Sequence, residues 1–183
     1  MSAAFQQFPS TFNISPSTMP GQSLSHLQTK DLVTPRRWDL AVKWRHFRHL
    51  LHGGDHNAER IYRWHIQARK TANAKLGLGM DSKSGTDQYV SDCHRLLVSM
   101  RANGFCSEYA IPIDPDGELL GGAHRTACAL ALEIETVPVE RRTNTAWAPA
   151  WGEEWFIANG MPDAYLDRLR KDWQELNGLS DRR

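Results

Sequence analysis

The run Gly121-Gly122-Ala123-His124-Arg125, followed by Thr126, brings together residue types suited to holding an anion. Glycines take backbone angles closed to other residues and let a ligand approach the main chain. A helix beginning at Ala123 would turn its unpaired first-turn N–H groups, and the positive end of its dipole, toward that ligand. Arg125 adds a guanidinium able to clamp two oxygens, and His124 a directional donor or a proton carrier. The ordinary alternative is a plain helix start with a satisfied histidine and a surface arginine. Activating a hydroxyl beside a bound phosphate would need a base within hydrogen-bond reach. Glu59, Asp114 and Asp116 are candidate carboxylates, and His124 is the other group able to move a proton. Asp116 suits the turn Asp114-Pro115-Asp116-Gly117 better.

The elements that must position these residues are visible around them. Tyr109-Ala110-Ile111-Pro112-Ile113-Asp114 is a short apolar strand, Pro115-Asp116-Gly117 a turn, and Glu118 to Gly122 the return strand of a hairpin. The alanine-rich run from Ala123 predicts a helix, and Thr136-Val137-Pro138-Val139 a closing strand. Upstream, a helical period begins after Pro35 with Trp38, Ala41, Val42, Phe47, Leu50 and Leu51 on one stripe, stopped by Gly53-Gly54. A second helix starts near Asn57 and a third at Thr86, the expected N-cap, closing at Asn103-Gly104. The C-terminal part carries four of the seven tryptophans and ends in a helix after Pro162. Those tryptophans read as core or lid over a small sheet. The fold class expected is α+β, a small mixed sheet with flanking helices.

Composition narrows the classes. The chain has 183 residues and a formal net charge of +1, enough for one core and without a global field to draw it onto nucleic acid or anionic lipid. Cys93, Cys106 and Cys128 lack both an even count and the spacing of a structural zinc site, which points to reduced thiols and a cytoplasmic protein. No early basic start with an apolar run and no apolar stretch of about 20 residues marks a signal or a membrane span. His46, His49, His52 and His56 cluster, yet nothing completes a metal ligand set, and partly exposed or capping histidines are expected there. Residues 1–30, rich in Ser, Gln and Pro with isolated Phe5, Phe8 and Phe12, read as a disordered N-terminal arm ahead of a single domain at 31–183.

The segment from Ile111 to Val139, with the helix before it, resembles the core of the ParB/sulfiredoxin-like superfamily, and the likeness spans roughly residues 86–142. In that superfamily the loop binds nucleotide phosphates. The resemblance therefore implies a cofactor-binding set of Gly121, Gly122, Ala123, His124, Arg125 and Thr126. Lys83 and Arg69 are further groups able to reach a phosphate, although a solvated loop lysine and a core helix with snorkelling arginines are the plainer accounts. The nucleophilic cysteine of sulfiredoxins is replaced by Ala123, whose methyl cannot attack, so reductase chemistry is not expected. Cys128 lies on another helix face and is expected to pack as a small buried residue. The helix-turn-helix of chromosome-partitioning relatives has no counterpart after Arg142. What the resemblance implies is an ATP-dependent phosphotransferase acting on a small hydroxylated metabolite, as in surface polysaccharide biosynthesis. Mg²⁺ would then be held mainly by phosphates and water, with His124, Glu59 and Asp114 as catalytic candidates. The competing reading is a non-catalytic, nucleotide-gated binding module. A nuclease is weaker, since neither a dense acidic cluster nor a basic stripe is present.

Overall fold

The structure, a computed structural model, describes residues 24–76, 85–143 and 150–178. Within them the order is β1 (Ser25–Gln28), α1 (Asp39–His52), α2 (Ala58–Lys75), α3 (Thr86–Asn103), β2 (Ile111–Ile113), α4 (Ala123–Ala131), β3 (Thr136–Arg141), α5 (Glu153–Ala158) and α6 (Asp163–Gly178). This is the expected α+β class, a three-stranded mixed sheet ordered β1-β3-β2 and flanked by helices. Among the described residues no helix is long and apolar enough to cross a membrane.

β3 is central, between β1 and β2, and Val137 to Glu140 are all buried, Val137 and Val139 completely. β2 lies parallel to it, pairing Ile111 with Val139, and a parallel pair requires a crossover, which α4 supplies. That crossover places the Gly121-Gly122 turn beside β2. The return strand is shorter than expected: Leu119 bridges Ile113 and the Leu120 amide donates to the Pro112 carbonyl at 3.0 Å, after which the chain departs through the glycines.

α1 is the central helix, packed by α4, α2, α6 and α3. Every residue from Asp39 to Phe47 is buried, so its polar positions face protein as well as its apolar ones. It ends where the sequence predicts, with Gly53 at φ 70° donating to the His49 carbonyl. Thr86 is not the N-cap of α3. It is the first helical residue, after extended Gly85, and its hydroxyl accepts from Arg63 at 3.2 Å.

The arm reading is corrected for its last residues. Ser25–Gln28 pairs antiparallel with β3, from Ser25 opposite Val139 to Gln28 opposite Thr136. The amide of buried Thr29 donates to the Glu135 carbonyl at 2.8 Å, and its hydroxyl to the Ile134 carbonyl. Residues 1–23, with Phe5, Phe8 and Phe12, lie outside the described residues. Deleting residues 1–28 removes one edge of the sheet and the contact of Leu27 with the core. The melting temperature is expected to fall by roughly 5 °C or more; an unchanged value in a thermal scan would show that β1 contributes nothing.

Among the described residues, the tryptophan-rich part packs on α1, α2 and the segment leading into α1. Trp151 is held by main-chain hydrogen bonds, its amide to the Arg36 carbonyl at 2.8 Å and its carbonyl from the Trp38 amide at 3.0 Å. Its ring, with Trp155 and Phe156, lies against His65 of α2, and Trp173 stacks on Trp38 at 5.3 Å. Trp147 lies outside the described residues.

Candidate functional site

Gly121 and Gly122 close the turn from the hairpin into α4. Gly122 has φ 76°, the left-handed region that favours glycine. A Cβ there would stand 2.9 Å from Ile111 Cδ1 and 3.0 Å from an Arg125 guanidinium nitrogen, and one at Gly121 3.3 Å from Pro112 Cγ. Gly122 is therefore favoured by both its backbone angle and the close fit of the loop on β2, whereas a side chain at Gly121 would ask Pro112 to give by a few tenths of an ångström. The helix they launch has no side-chain cap, and the Thr126 hydroxyl turns back to the Gly122 carbonyl at 3.3 Å. Every other described α-helix has a carboxylate in its first turn: Asp39, Glu59, Asp87, Glu153 with Glu154, and Asp163. α4 has none, so the positive end of its dipole is not offset by an acid of its own.

Comparison with family models, with curated proteins and with solved structures finds no match for this chain. What the site can do therefore has to come from its own residues.

His124, in the first turn of α4, meets Tyr62 of α2 at 2.9 Å between Nε2 and the phenol oxygen. Cys93 of α3 donates its thiol to the same oxygen at 3.1 Å. Burial, with Cys93 adding to it, raises Tyr62 well above the ordinary phenol value, so the phenol is neutral. The Tyr89 ring lies 6.3 Å from the His124 ring. Arg69 donates to the Tyr89 hydroxyl at 2.6 Å and sits over that ring, as does the Lys70 ammonium at 5.9 Å. α2 thus brings the Tyr62 phenol to His124 in the first turn of α4, and Arg69 and Lys70 to the Tyr89 ring.

Arg125 is placed differently from the expected clamp. Its guanidinium donates to the carbonyl oxygens of Tyr109 and Ala110, which ties the first turn of α4 to the segment leading into β2. Burial lowers its pKa to about 10, so it remains cationic at neutral pH. Arg125→Ala leaves those carbonyls without their donor and is expected to lower stability by about 1 to 3 kcal/mol. The urea midpoint measures this, and an unchanged midpoint would return Arg125 to the surface role.

Two of the three carboxylate candidates, Glu59 and Asp114, are engaged elsewhere. Glu59 is half exposed and pairs with Arg63 at 2.7 Å. Asp114 accepts from the Asp116 and Glu118 amides at 2.9 and 2.8 Å, which makes it the organiser of the hairpin turn. By the rise of a strand it stands roughly 10 Å from Ile111, the residue beside Gly122. Lys83 lies outside the described residues. Among the described residues no group of three His, Cys, Asp or Glu side chains is placed to hold a metal ion. His46, expected to be partly exposed, is fully buried, because its ring stacks on Tyr62 at 4.4 Å. His49 does cap, its Nδ1 accepting from the Asp55 amide at 3.3 Å. Cys128 is buried as expected, and burial pushes its thiol far up.

A second cluster adjoins the first through α2. Arg37 grips Asp39 with both carboxylate oxygens, at 2.8 and 3.0 Å, and also donates to the Leu119 carbonyl. The Lys43 ammonium lies 2.7 Å from Asp39 and 3.3 Å from His65 Nε2, and both cations sit over the Trp151 ring. All four side chains are at most 1% exposed. Burial alone would push the Asp39 carboxyl up, but Arg37 and Lys43 outweigh it and hold it well below the carboxylate range. Burial lowers Lys43 to about 8 against the pull of Asp39. Burial, then Lys43, pushes His65 well below the ordinary imidazole value. The Arg69 charge acts on Lys43, His65 and Tyr62 alike, which links the two clusters electrostatically. The face shared by His65 and Arg69 is readable as an i, i+4 pair. Tyr62 as the partner of His124, and the Arg37, Asp39 and Lys43 cluster, had no local signal.

Proposed function

We propose that the protein binds the phosphate chain of a nucleotide, ATP in the first instance, at the start of α4, in the manner of ParB/sulfiredoxin-like domains. The observation that carries this reading is the α4 N-terminus: left-handed Gly122, no side-chain cap and no first-turn carboxylate, with His124 in the first turn and Arg69 and Lys70 grouped nearby around Tyr89. The cationic contribution expected of Arg125 passes to these two α2 residues, while Arg125 holds the loop from behind. The residues present suit phosphate oxygens better than a divalent cation. With Glu59 and Asp114 engaged elsewhere, Mg²⁺ would rest on the phosphates and water.

Phosphoryl transfer to a small hydroxylated metabolite, such as a precursor of a surface polysaccharide, extends the same reading. His124 is the titratable group at the loop and the remaining candidate for handling the hydroxyl proton, although its Nε2 is engaged by Tyr62. The engagement of Glu59 and Asp114 is what favours the second reading, a nucleotide-gated binding module without turnover. Calorimetry with ATP, ADP, CTP and GTP tests both. Binding is expected in the micromolar to millimolar range, and Arg69→Ala is expected to weaken it by about 1.5 to 3 kcal/mol. Absence of binding at millimolar nucleotide would remove the proposal. Release of ADP with a hydroxylated acceptor separates the kinase from the binding module.

A further inference from the structure

The buried Arg37, Asp39, Lys43 and His65 side chains set one carboxylate between two cations, with a neutral imidazole beside them. An ammonium has three N–H donors and no acceptor. Those of Lys43 have three acceptors within reach: Asp39 Oδ2 at 2.7 Å, the Asp39 carbonyl at 3.4 Å and His65 Nε2 at 3.3 Å. His65 Nε2 must therefore offer its lone pair, and a neutral imidazole whose Nε2 accepts carries its proton on Nδ1. That Nδ1 is buried and meets no hydrogen-bond partner among the described residues. The arrangement leaves one N–H unpaired and one positive charge in excess, among side chains at most 1% exposed.

Removing a single proton relieves both. A neutral amine keeps two N–H donors for Asp39 and gains a lone pair, which can accept from His65 once the ring's proton is on Nε2. The Lys43 proton passes to Nε2, the Nδ1 proton goes to solvent, and Asp39 is left balanced against Arg37. We propose that Lys43 and His65 form a proton-coupled switch: in the ammonium state His65 is the Nδ1–H tautomer, and loss of one proton in mildly alkaline solution makes it the Nε2–H tautomer, donating to the Lys43 amine. The groups whose charges act on the pair are Arg37 ahead of α1, Asp39 in its first turn and Arg69 of α2, while the α5 side presents Trp151, Trp155 and Phe156. Burial, the largest influence, brings Lys43 down to about 8; Asp39 favours the ammonium, and Arg37 and Arg69 oppose it. Arg37 also donates to the Leu119 carbonyl, two residues before Gly121, so the cluster is tied to the chain that enters the α4 turn.

The test is a titration of the full-length chain labelled with ¹⁵N-histidine, from pH 6.5 to 9.5 without added ligand. The His65 signal is identified by its contacts with the Trp151 and Trp155 rings. Wild-type His65 is expected to show a protonated Nδ1 and a bare Nε2 at the acid end and the reverse at the alkaline end, with a midpoint at about 8. A proton on Nε2 at pH 7, an imidazolium there, or a pattern that does not change up to pH 9.5 overturns the switch. Lys43→Arg keeps a cation that does not titrate in this range, so its His65 is expected to stay Nδ1–H throughout. The wild-type change persisting in that variant also overturns the proposal. Urea unfolding of the wild type and of Lys43→Met is the second readout. The folded value of Lys43 lies below the unfolded one, so the unfolded chain holds the proton more firmly, and stability rises as pH climbs between about 8 and 10.5. Relative to Lys43→Met, the wild-type unfolding constant is expected to fall roughly six- to tenfold per pH unit between 8.5 and 9.5. The same slope in both proteins overturns the proposal, and the wild-type titration decides the matter even where a variant fails to fold.

Discussion

Asp39→Asn is expected to lower the folding free energy by about 3 to 5 kcal/mol, the cost of leaving a buried charge without its partner. Asp39 is the carboxylate that faces two buried cations in the cluster: Arg37 holds both its oxygens, and the Lys43 ammonium holds one of them. With the carboxylate the cluster sums to one excess positive charge, and without it to two. An amide can accept from Arg37 through one oxygen, but it cannot offset either charge. It also sits in the first turn of α1, where a negative group is favoured by the helix dipole. Native domains have about 5 to 15 kcal/mol in hand, so the variant should be close to unfolding at physiological temperature. Lys43→Met provides the contrast. It leaves the two-oxygen Arg37–Asp39 pair balanced and takes from His65 only its Nε2 partner, so a loss of about 1 to 3 kcal/mol is expected. Urea unfolding with matched slopes measures both variants. If Asp39→Asn costs no more than Lys43→Met, charge balance is not what this cluster contributes.

Much of the architecture is legible in the chain because it is written in local patterns. The stripe from Trp38 to Leu51 and its Gly53 stop, the glycine turn into α4, and the β-branched run of β3 each need a window of about ten residues. β1 is not legible for the same reason. Ser25-His26-Leu27-Gln28 has little alternation, and its partner Thr136–Val139 lies more than a hundred residues downstream. The glycine-histidine-arginine loop shows its residues but not their directions. Nothing local tells Arg125 to turn back to Tyr109 rather than outward, or selects Tyr62 from the aromatics of α2 to meet His124. The buried charges were the hardest to see. Arg37, Asp39 and Lys43 look like the solvated start of a helix, and only Trp151, brought over them through its bridge to Arg37, shows them to be core.

The stability of the protein is expected to fall steeply as pH drops from about 6.5 toward 4, and buried imidazoles are the cause. Burial lowers His46 from 6.5 to about 4, and neither of its ring nitrogens meets a hydrogen-bond partner among the described residues. His65 is pushed in the same direction, by burial first and then by Lys43; its Nδ1 is buried without a hydrogen-bond partner among the described residues, and its ring lies against Trp151, Trp155 and Phe156. Because both folded values are depressed, the unfolded chain takes up these protons first as the pH falls. The stability they contribute is complete above about 6.5 and is lost below it. Each histidine adds about 1.4 kcal/mol per pH unit, and for His46 the whole interval comes to about 3 kcal/mol. Asp39 cannot produce this limb. Its folded value is also depressed, but its unfolded value is 3.8, so its loss begins at lower pH. His46→Phe keeps a ring on Tyr62 and removes one titrating group, so it should flatten the slope of stability against pH by about one proton between 6.5 and 4. At pH 7 the variant should be as stable as the wild type or more so, since the replaced ring had two buried nitrogens without partners. Urea midpoints at half-unit steps of pH give both numbers. An acid limb of unchanged slope in the His46→Phe protein would assign the loss to other groups and place His46 in contact with solvent.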